Sequence, residues 1–538
     1  MTLQLNLLDD RLFRYCDVDD QSHDASLPEL LVALGRDTVC DFPALRSHQC
    51  HPWHAFLVCL AAIALHEAKR DELWNTPEEW RRALLALTPD HPDGAAFSLV
   101  TPDDRPAFLQ APCKSGETRT WKKRLLTPDA VDMLITSKNH DMKAARMIHA
   151  DPEDWVYALV SLQTQEGFLG AGNYGISRMN GGFASRPALG VVPAGHVGKR
   201  WARDTRLLLE QHASIAKQCD LKSKGGLALV WLRPWDGTSS LSLGELDPFY
   251  IEICRRVRLT MHGTRLVALA TSSKTARIAA KERNGVTGDA WTPVNIAEAK
   301  ALSITARGFD YRLASTLAFP KEFERTFERT LASTLLEDDG ETGLYLLAQG
   351  ITRGQGKTEG YHERRIPTSP RIRDAMRMRH TDEIAKRATD RIAAIADVRR
   401  VLWIAMCNLL GNGDSSVSDD TKKKAGDFSR RFEHEEDARF FDDLIEEVES
   451  HNEKEANDKW IGELVDRAET VLERAFVAGP RSAERRYRAQ GGALSCFHSF
   501  MRTEKHVAQR IVGVLKRRDE APRDARPDSL EEVEHDVS

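Results

Sequence analysis

The sequence predicts an α+β chain, with strands and helices mixed through its first two thirds and a four-helix bundle after them. Two observations carry this. LALVWLRPW (227–235), FYIEICRRVRLTM (249–261) and TRLVALATS (264–272) are rich in β-branched and aromatic residues and read as strands. Beyond residue 370, Ile384, Ala388, Ile392, Ile395, Val398 and Leu402 recur at the spacing of a bundle seam. Four helical segments can be drawn there, at about 371–412, 428–452, 456–478 and 482–519. Pro367 and Pro370 mark the boundary, so the expected division is a mixed α/β domain (1–367), a bundle (368–519) and a tail (520–538). The tail lacks apolar periodicity and is expected to be disordered.

The remaining elements follow in order. Residues 3–15 alternate apolar and polar, as an edge strand or hairpin arm would. LPELLVALGRD (27–37) reads as a short helix stopped at Gly35. Residues 51–65 are apolar nearly all round, the pattern of a buried helix. Thr76 and Pro77 are an N-cap and a first helical residue. Prolines from Pro89 to Pro112 indicate ordered loops around PAFLQAP, and Asp154–Leu162 is a buried apolar run. Alternation in 249–261 puts Tyr250, Glu252, Cys254, Arg256 and Arg258 on one face, and His262-Gly263 reads as a hairpin turn. FPKEFERTFERTLASTLL, from Phe319, is an amphipathic helix pattern, and LYLLAQG (344–350) leads into a Gly/polar/basic loop, ITRGQGKTEGYHERR (351–365).

The 538 residues carry a net charge of -5, with 41% hydrophobic and 29% charged residues, as in an ordinary globular protein of more than one domain. No run of about 18 apolar residues exists, so no membrane span is expected. MTLQLNLLDDRLFRY has early acids and no signal-peptide core. Nine cysteines without a CxxC pair point to reduced thiols in a cytoplasmic protein and away from a zinc ribbon. The mild acidity does not itself suggest nucleic acid, although local basic strips are what polyanion binding needs.

Several constellations could carry function. Gln163–Pro187, QTQEGFLGAGNYGISRMNGGFASRP, interleaves glycines with Asn and Arg. Such a loop lets another molecule approach the main chain, or simply turns a corner. No Gly-Lys-Ser/Thr follows, and GAGNYG lacks the helix and distant acid of a dinucleotide site. Arg255, Arg256 and Arg258 sit in one strand-like run, either tracking phosphates or forming a surface ladder balanced by Glu252 and Glu245. Loop 353–365 clusters Arg353, Gln355, Lys357, His362, Arg364 and Arg365 around glycines; it inserts into a duplex or only connects. Arg481, Arg485, Arg486, Arg488, Arg502, Lys505, Arg510, Lys516, Arg517 and Arg518 make a nucleic-acid face or a solvated helix surface. His48, Cys50, His51 and His54 crowd together, and Pro52 is expected to break the helix that would align them. A metal-dependent nuclease or phosphohydrolase using His48, His51 and His54, or His140 and Asp141, is the alternative they offer.

With these residues in view, the chain resembles the CasA family, the large subunit of the type I-E CRISPR surveillance complex Cascade. LNLLDDRLFRY, LPELLVAL, the apolar helix 53–65, PAFLQAP, the Gly-rich loop ending in NGGFASRP, LVWLRPW, and the Gly/Gln loop before HERR follow in the family's order, over residues 3–518. The resemblance implies a mixed α/β domain, a four-helix bundle and no catalytic activity; some relatives carry a cysteine cluster for zinc, which is missing here, so no cofactor and no metal are expected. It implies a subunit that reads a protospacer-adjacent motif from the minor groove, wedges the duplex open and helps recruit a helicase–nuclease. The implied partners are the guide RNA, target duplex DNA, the Cascade backbone and 5′-end subunits, and the small subunits. The family's glycine loop matches Gly170, Ala171, Gly172, Asn173 and Tyr174, and its lysine finger falls at Arg255 or Arg256. Its wedge falls at Gln355, Gly356, Lys357 and Thr358. The loop meeting the guide's 5′ end and the Cascade body matches Ile135, Thr136, Ser137, Lys138, Asn139 and His140.

Overall fold

The computed structural model describes residues 4–133, 149–182, 184–340, 343–354, 357–411 and 417–520. They form two compact units, Met1–Arg379 and His380–Ser538. The division comes after the short helix Pro370–Met378, so that helix belongs to the first unit and not to the bundle segment drawn at 371–412. Arg379 takes a left-handed conformation (φ 55°), which ends that helix.

The first unit is built around helix α2 (Ser47–Glu67), buried from His48 to Leu65 with few breaks. Helix α1 (Leu27–Gly35) precedes it, started by a Ser26/Glu29 capping box and ending at the expected glycine. Helix α3 (Pro77–Ala86) starts where Thr76 accepts from the Glu79 amide. Helix α4 (Pro152–Gln165) and helix α5 (Val197–Cys219), for which the sequence analysis has no counterpart, both pack on α2. Trp53 sits at the centre, its ring 5.3 Å from Phe13 and 5.2 Å from Tyr157. Pro52 lies inside α2 instead of breaking it. As the sixth residue of the helix it lacks the amide that would bond the His48 carbonyl, and the helix continues through it with the Trp53 and Phe56 rings stacked 5.6 Å apart just beyond.

Around this helical core lie small sheets. The expected hairpin at Gly263 forms, with Arg256–His262 paired to Arg265–Thr271 and Lys123–Leu125 added at the edge. The run 249–261 is not one strand. Leu246–Ile251 pairs in parallel with Leu227–Leu229, and the chain leaves strand geometry before Arg256. The reason is tertiary: Gln163 on α4 accepts from the Cys254 and Arg255 amides and donates to the Leu109 and Arg255 carbonyls, occupying groups a continuous ladder would need.

Two other expectations fail. After helix α6 (Tyr311–Ala318) the segment read as an amphipathic helix is irregular, and Phe323 is 99% exposed. Its backbone pairs instead with 294–296, through Ile296 N–H to Thr326 O and Glu328 N–H to Val294 O. Residues 351–365 are not a loop but the outer part of a long hairpin, Tyr345–Gly354 with Lys357–Pro367. Tyr345–Gly354 also pairs with Ala188–Val192, so the strand leaving the Gly-rich stretch and the hairpin share one sheet. Helix α7 (Pro370–Met378) closes the unit.

The second unit holds helices α8 (Asp382–Leu410), α9 (Asp419–Glu449), α10 (Glu453–Arg474), α11 (Ala483–Met501) and α12 (Gln509–Glu520). The segment drawn at 482–519 is two helices, parted by a break after Met501. Helix α8 packs on α9, α10 and α11, burying the predicted seam residues Ile384, Ala388, Ile395, Val398 and Leu402. Helix α11 presents Ala489, Ala493, Phe497 and Met501, a four-residue repeat that is almost wholly buried. Residues 521–538, the expected tail, lie outside the described residues.

Candidate functional site

The Gly-rich stretch is a closed loop on a built neck. At the neck, Glu166 bridges Ser185, Gly167 N–H donates to Ala184 O at 3.0 Å, and Ile176 N–H donates to Glu166 O at 2.9 Å. A Cβ on Gly167 would stand 2.2 Å from Ala184 O, and one on Gly175 would stand 2.5 Å from the Gly167 backbone. Only glycine lets these chain segments pass each other. At the tip, Asn173 N–H donates to Gly170 O at 3.0 Å and Leu169 N–H to Asn173 O at 3.0 Å. Gly172 has φ 85° and rests on the next loop, where Ser273 N–H donates to its carbonyl at 3.1 Å. Ala171 and Asn173 are exposed, whereas Gly170, Gly172 and Tyr174 are half-buried.

The second half of the stretch is clamped to the core. Ser177 donates to Glu252 through N–H (2.7 Å) and hydroxyl (2.9 Å), and its Oγ lies 2.7 Å from the Tyr250 hydroxyl. Burial pushes that hydroxyl up to about 12. Arg178 spans Glu252 and the Tyr250 carbonyl with its guanidinium 3.8 Å from the Tyr250 ring centroid. Arg186 pairs with Asp289, donating to Oδ1 at 2.6 Å. Burial opposes the Asp289 charge, yet Arg186 prevails and holds the carboxyl down, to about 2. Arg178 and Arg186 are thus internal braces.

Arg255 and Arg256 correct the expectation of an exposed cation pair: each is only 9% exposed. Arg255 turns back onto the loop, donating to the Tyr174 and Gly167 carbonyls and pairing with Glu166 at 3.1 Å. Arg256 pairs with Glu117 and lies 5.1 Å from the Trp121 ring centroid. Arg258 meets no carboxylate in ion-pair range among the described residues; it donates to carbonyls of Thr101, Pro102, Arg105 and Gln110 and so organises the PAFLQAP turn. Ionised groups this deep need such partners, and here the backbone supplies most of them.

The hairpin converges on the same neck. Ser185 Oγ donates to Ile351 O at 2.8 Å, and Ile351 N–H donates to Ser185 Oγ at 2.9 Å. Arg353 pairs with the free side of Glu166 at 2.6 Å and donates to the Met133 carbonyl. One carboxylate, on a side chain 5% exposed, therefore joins Arg255, which holds the glycine loop, to Arg353 of the hairpin stem, and Arg353 in turn holds the Met133 carbonyl. Gln355 and Gly356 lie outside the described residues, two positions beyond Arg353; Lys357 and Thr358 begin the return strand. Ile135–His140, the expected docking loop, also lies outside the described residues, just after Met133.

Sequence reasoning missed Glu166 and Lys274. Glu166 had a signal, a carboxylate ending an otherwise buried apolar run. Lys274 had none. It is exposed and follows Ser272 and Ser273, which touch Gly172, and no described residue forms an ion pair with it. Among the described residues it is a cation beside the loop tip without an ion pair, which Arg255 and Arg256 are not.

The histidines do not form a metal centre among the described residues. His48 bonds Asp132 at 2.6 Å and His54 bonds Asp204 at 2.9 Å, two separate partners. His51 is buried with neither ring nitrogen bonded, and burial drives its pKa well below the usual value, so it is neutral. His140 and Asp141 lie outside the described residues. No described helix is long and apolar enough to cross a membrane.

No protein-family model matches the sequence, and no curated protein matches it. Solved structures do. The CRISPR-associated protein Cse1 from Acidimicrobium ferrooxidans superposes with a TM-score of 0.62 at 14% identity, over 96% of this chain and 99% of that one. Thermus thermophilus CasA (Cse1) gives 0.60 at 14% identity, over 95% and 100%. Thermobifida fusca Cse1 gives 0.60 at 13% identity, over 92% and 97%. The α+β fold described above, from the first strand to the last helices, is therefore the fold of the CasA proteins.

Proposed function

We propose that this chain is the non-catalytic large subunit of a CRISPR RNA-guided surveillance complex. It inspects duplex DNA for a short motif and parts the strands beside it. The shared fold supports the class. One observation supports the role: the buried Glu166 carboxylate joins the glycine loop to the stem of the hairpin. A reader and a wedge held by one ion cluster keep a fixed separation, which strand opening next to a recognised motif requires.

The chemistry follows from what is exposed. The minor groove offers a degenerate pattern, read by main-chain groups, small residues and cations. The tip Gly170–Tyr174 supplies main-chain groups, Ala171 and the Asn173 amide, and Lys274 supplies the cation in place of Arg255 and Arg256. The hairpin end, Gln355 to Thr358, enters the stack, against an unstacking cost of a few kcal/mol per step. Guide pairing then reads the sequence. The segment Ile135–His140, leaving from Met133, docks on the guide's 5′ end and the Cascade backbone. The complex acts in the cytoplasm with small subunits, and a helicase–nuclease follows.

The test uses the assembled complex and two duplex targets, with and without the motif. Lys274→Ala and Asn173→Ala are expected to weaken motif-bearing targets by about 5- to 150-fold, the value of one good contact. Replacing Gln355–Thr358 by alanine is expected to spare initial binding but block strand opening, read by permanganate reactivity of unpaired thymines. If all three variants bind and open the target as the parent does, this reading fails.

A further inference from the structure

Arginine pairing in the second unit is uneven. From Arg387 to Arg467 every described arginine has a carboxylate partner, as in Arg387–Glu453, Arg391–Glu447, Arg399–Glu433 and Arg467–Glu436. Arg502, Arg510, Arg517 and Arg518 are paired as well. Between them, Arg474, Arg481, Arg485, Arg486 and Arg488 have no ion pair with any described residue, and all are exposed. They are consecutive arginines of the chain, around the turn from α10 into α11. Glu484 is the single carboxylate from 474 to 488.

The same turn exposes aromatic and apolar surface. Tyr487 is 84% exposed and Val477 93%. Residues 481–488 are exposed all round, and the apolar seam of α11 begins only at Ala489. The first turn and a half of α11 therefore stands clear of the bundle, with Arg485 and Arg488 on one side by helical spacing and Tyr487 between the arginines. A helix start that served only the bundle would carry paired arginines, as the other described arginines of this unit are.

We infer that this turn, Arg481–Arg488 with Tyr487, is a binding surface for single-stranded nucleic acid. Four guanidiniums with no ion-pair partner among the described residues match a phosphate backbone. An uncovered tyrosine among them offers a π face to an unpaired base, which a stacked duplex does not present. An acidic protein would satisfy the charges but leaves Tyr487 without a role. The inference stands apart from the loop and hairpin of the first unit, whose variants leave it untouched.

The experiment is fluorescence anisotropy of the full-length protein with a labelled mixed-sequence single strand, against the blunt duplex of the same length and an acidic peptide competitor. Four phosphate contacts on a single strand give a log–log salt slope of about -2.8, an affinity loss of about 50-fold between about 50 and 200 mM salt. The variant R481A/R485A/R486A/R488A is expected to lose most of that dependence. Tyr487→Ala is expected to weaken the strand by about 5- to 150-fold, and Tyr487→Phe to retain it. All changes are on exposed residues, and an unchanged melting curve for each variant confirms the fold. Unchanged strand binding by the quadruple variant overturns the inference. So does a silent Tyr487→Ala, a loss of duplex binding in the quadruple variant as large as its loss of strand binding, or displacement by the acidic peptide at matched charge.

Discussion

Residues 255–258 read RRVR, and residues 485–488 read RRYR. The two tetrads differ by one residue and have opposite surroundings. Arg255, Arg256 and Arg258 are buried, and each guanidinium is held by groups distant in the chain: Glu166, Glu117 and the carbonyls of 101–110. Arg485, Arg486 and Arg488 are exposed and have no ion pair with any described residue. An inward arginine stiffens what it touches because releasing it would strand a charge away from water. An outward, unpaired arginine adds little to stability and remains available to a polyanion. The composition of a basic run therefore does not tell bracing from binding; what stands within hydrogen-bond reach does.

Four measurements would break or sharpen this contrast. Glu166→Ala should have the largest effect, since it leaves both Arg255 and Arg353 short of their shared carboxylate. A loss of about 3–5 kcal/mol is expected by urea unfolding of the first unit. Amide exchange at Gly167–Tyr174 should rise with it, while the helices of the second unit keep their protection. Exchange that rises equally everywhere would make Glu166 a general stabiliser and not a link between loop and hairpin.

Arg258→Met comes next. The methionine fills part of the space but leaves carbonyls of Thr101, Pro102, Arg105 and Gln110 without their donor. About 3 kcal/mol is expected from buried acceptors left unsatisfied. An unchanged midpoint would remove this arginine from the bracing class.

The Arg186–Asp289 pair tests bracing by pH. The Asp289 pKa is about 2 in the folded chain, below its ordinary 3.8. A depressed carboxyl contributes stability that is present above the unfolded pKa and disappears as pH falls through the folded one. The first unit should therefore lose about 2 kcal/mol from this group between pH 4 and pH 2. Asp289→Asn should be weaker at pH 7 and lack that acid step. A variant that keeps the full step assigns it to other carboxyls.

The smallest effect belongs to the outward tetrad. Arg485→Ala with Arg486→Ala should change stability by no more than about 0.5 kcal/mol, measured by thermal melting of the full chain. A larger loss would mean that these side chains are braces as well, and would erase the comparison.

Legibility along the sequence followed how local each determinant is. Helix α1 is readable from its apolar run and the Gly35 stop, and α3 from the Thr76 cap with Pro77 at the first helical position, all signals within a few residues. The seam of α8 and the Gly263 turn were readable for the same reason, as a periodicity and a turn residue. The segment after Pro320 failed because its backbone pairs with 294–296 rather than with itself. The segment 351–365 reads as a loop because its glycines and charges hide the alternation, and only pairing of Tyr345–Gly354 with Lys357–Pro367 makes it a hairpin. Within the candidate site, glycine density marks the stretch Gln163–Pro187 and the CasA resemblance narrows it to Gly170–Tyr174, whereas Lys274 sits in an ordinary polar loop and is invisible.

From sequence alone came the starts of helices α1 and α3, the apolar seam of α8, the glycine-dense stretch, and the order of elements that the CasA fold shares. Those are short-range properties, written in caps, periodicity and residue size. Tertiary structure alone decided which charges are spent inside. Glu166, Arg255 and Arg353 stand far apart in the chain and meet only once the core has brought α4, the strand at 256 and the hairpin together. A charge is satisfied or free according to what lies within about 4 Å of it, and over such separations neither composition nor spacing records that distance.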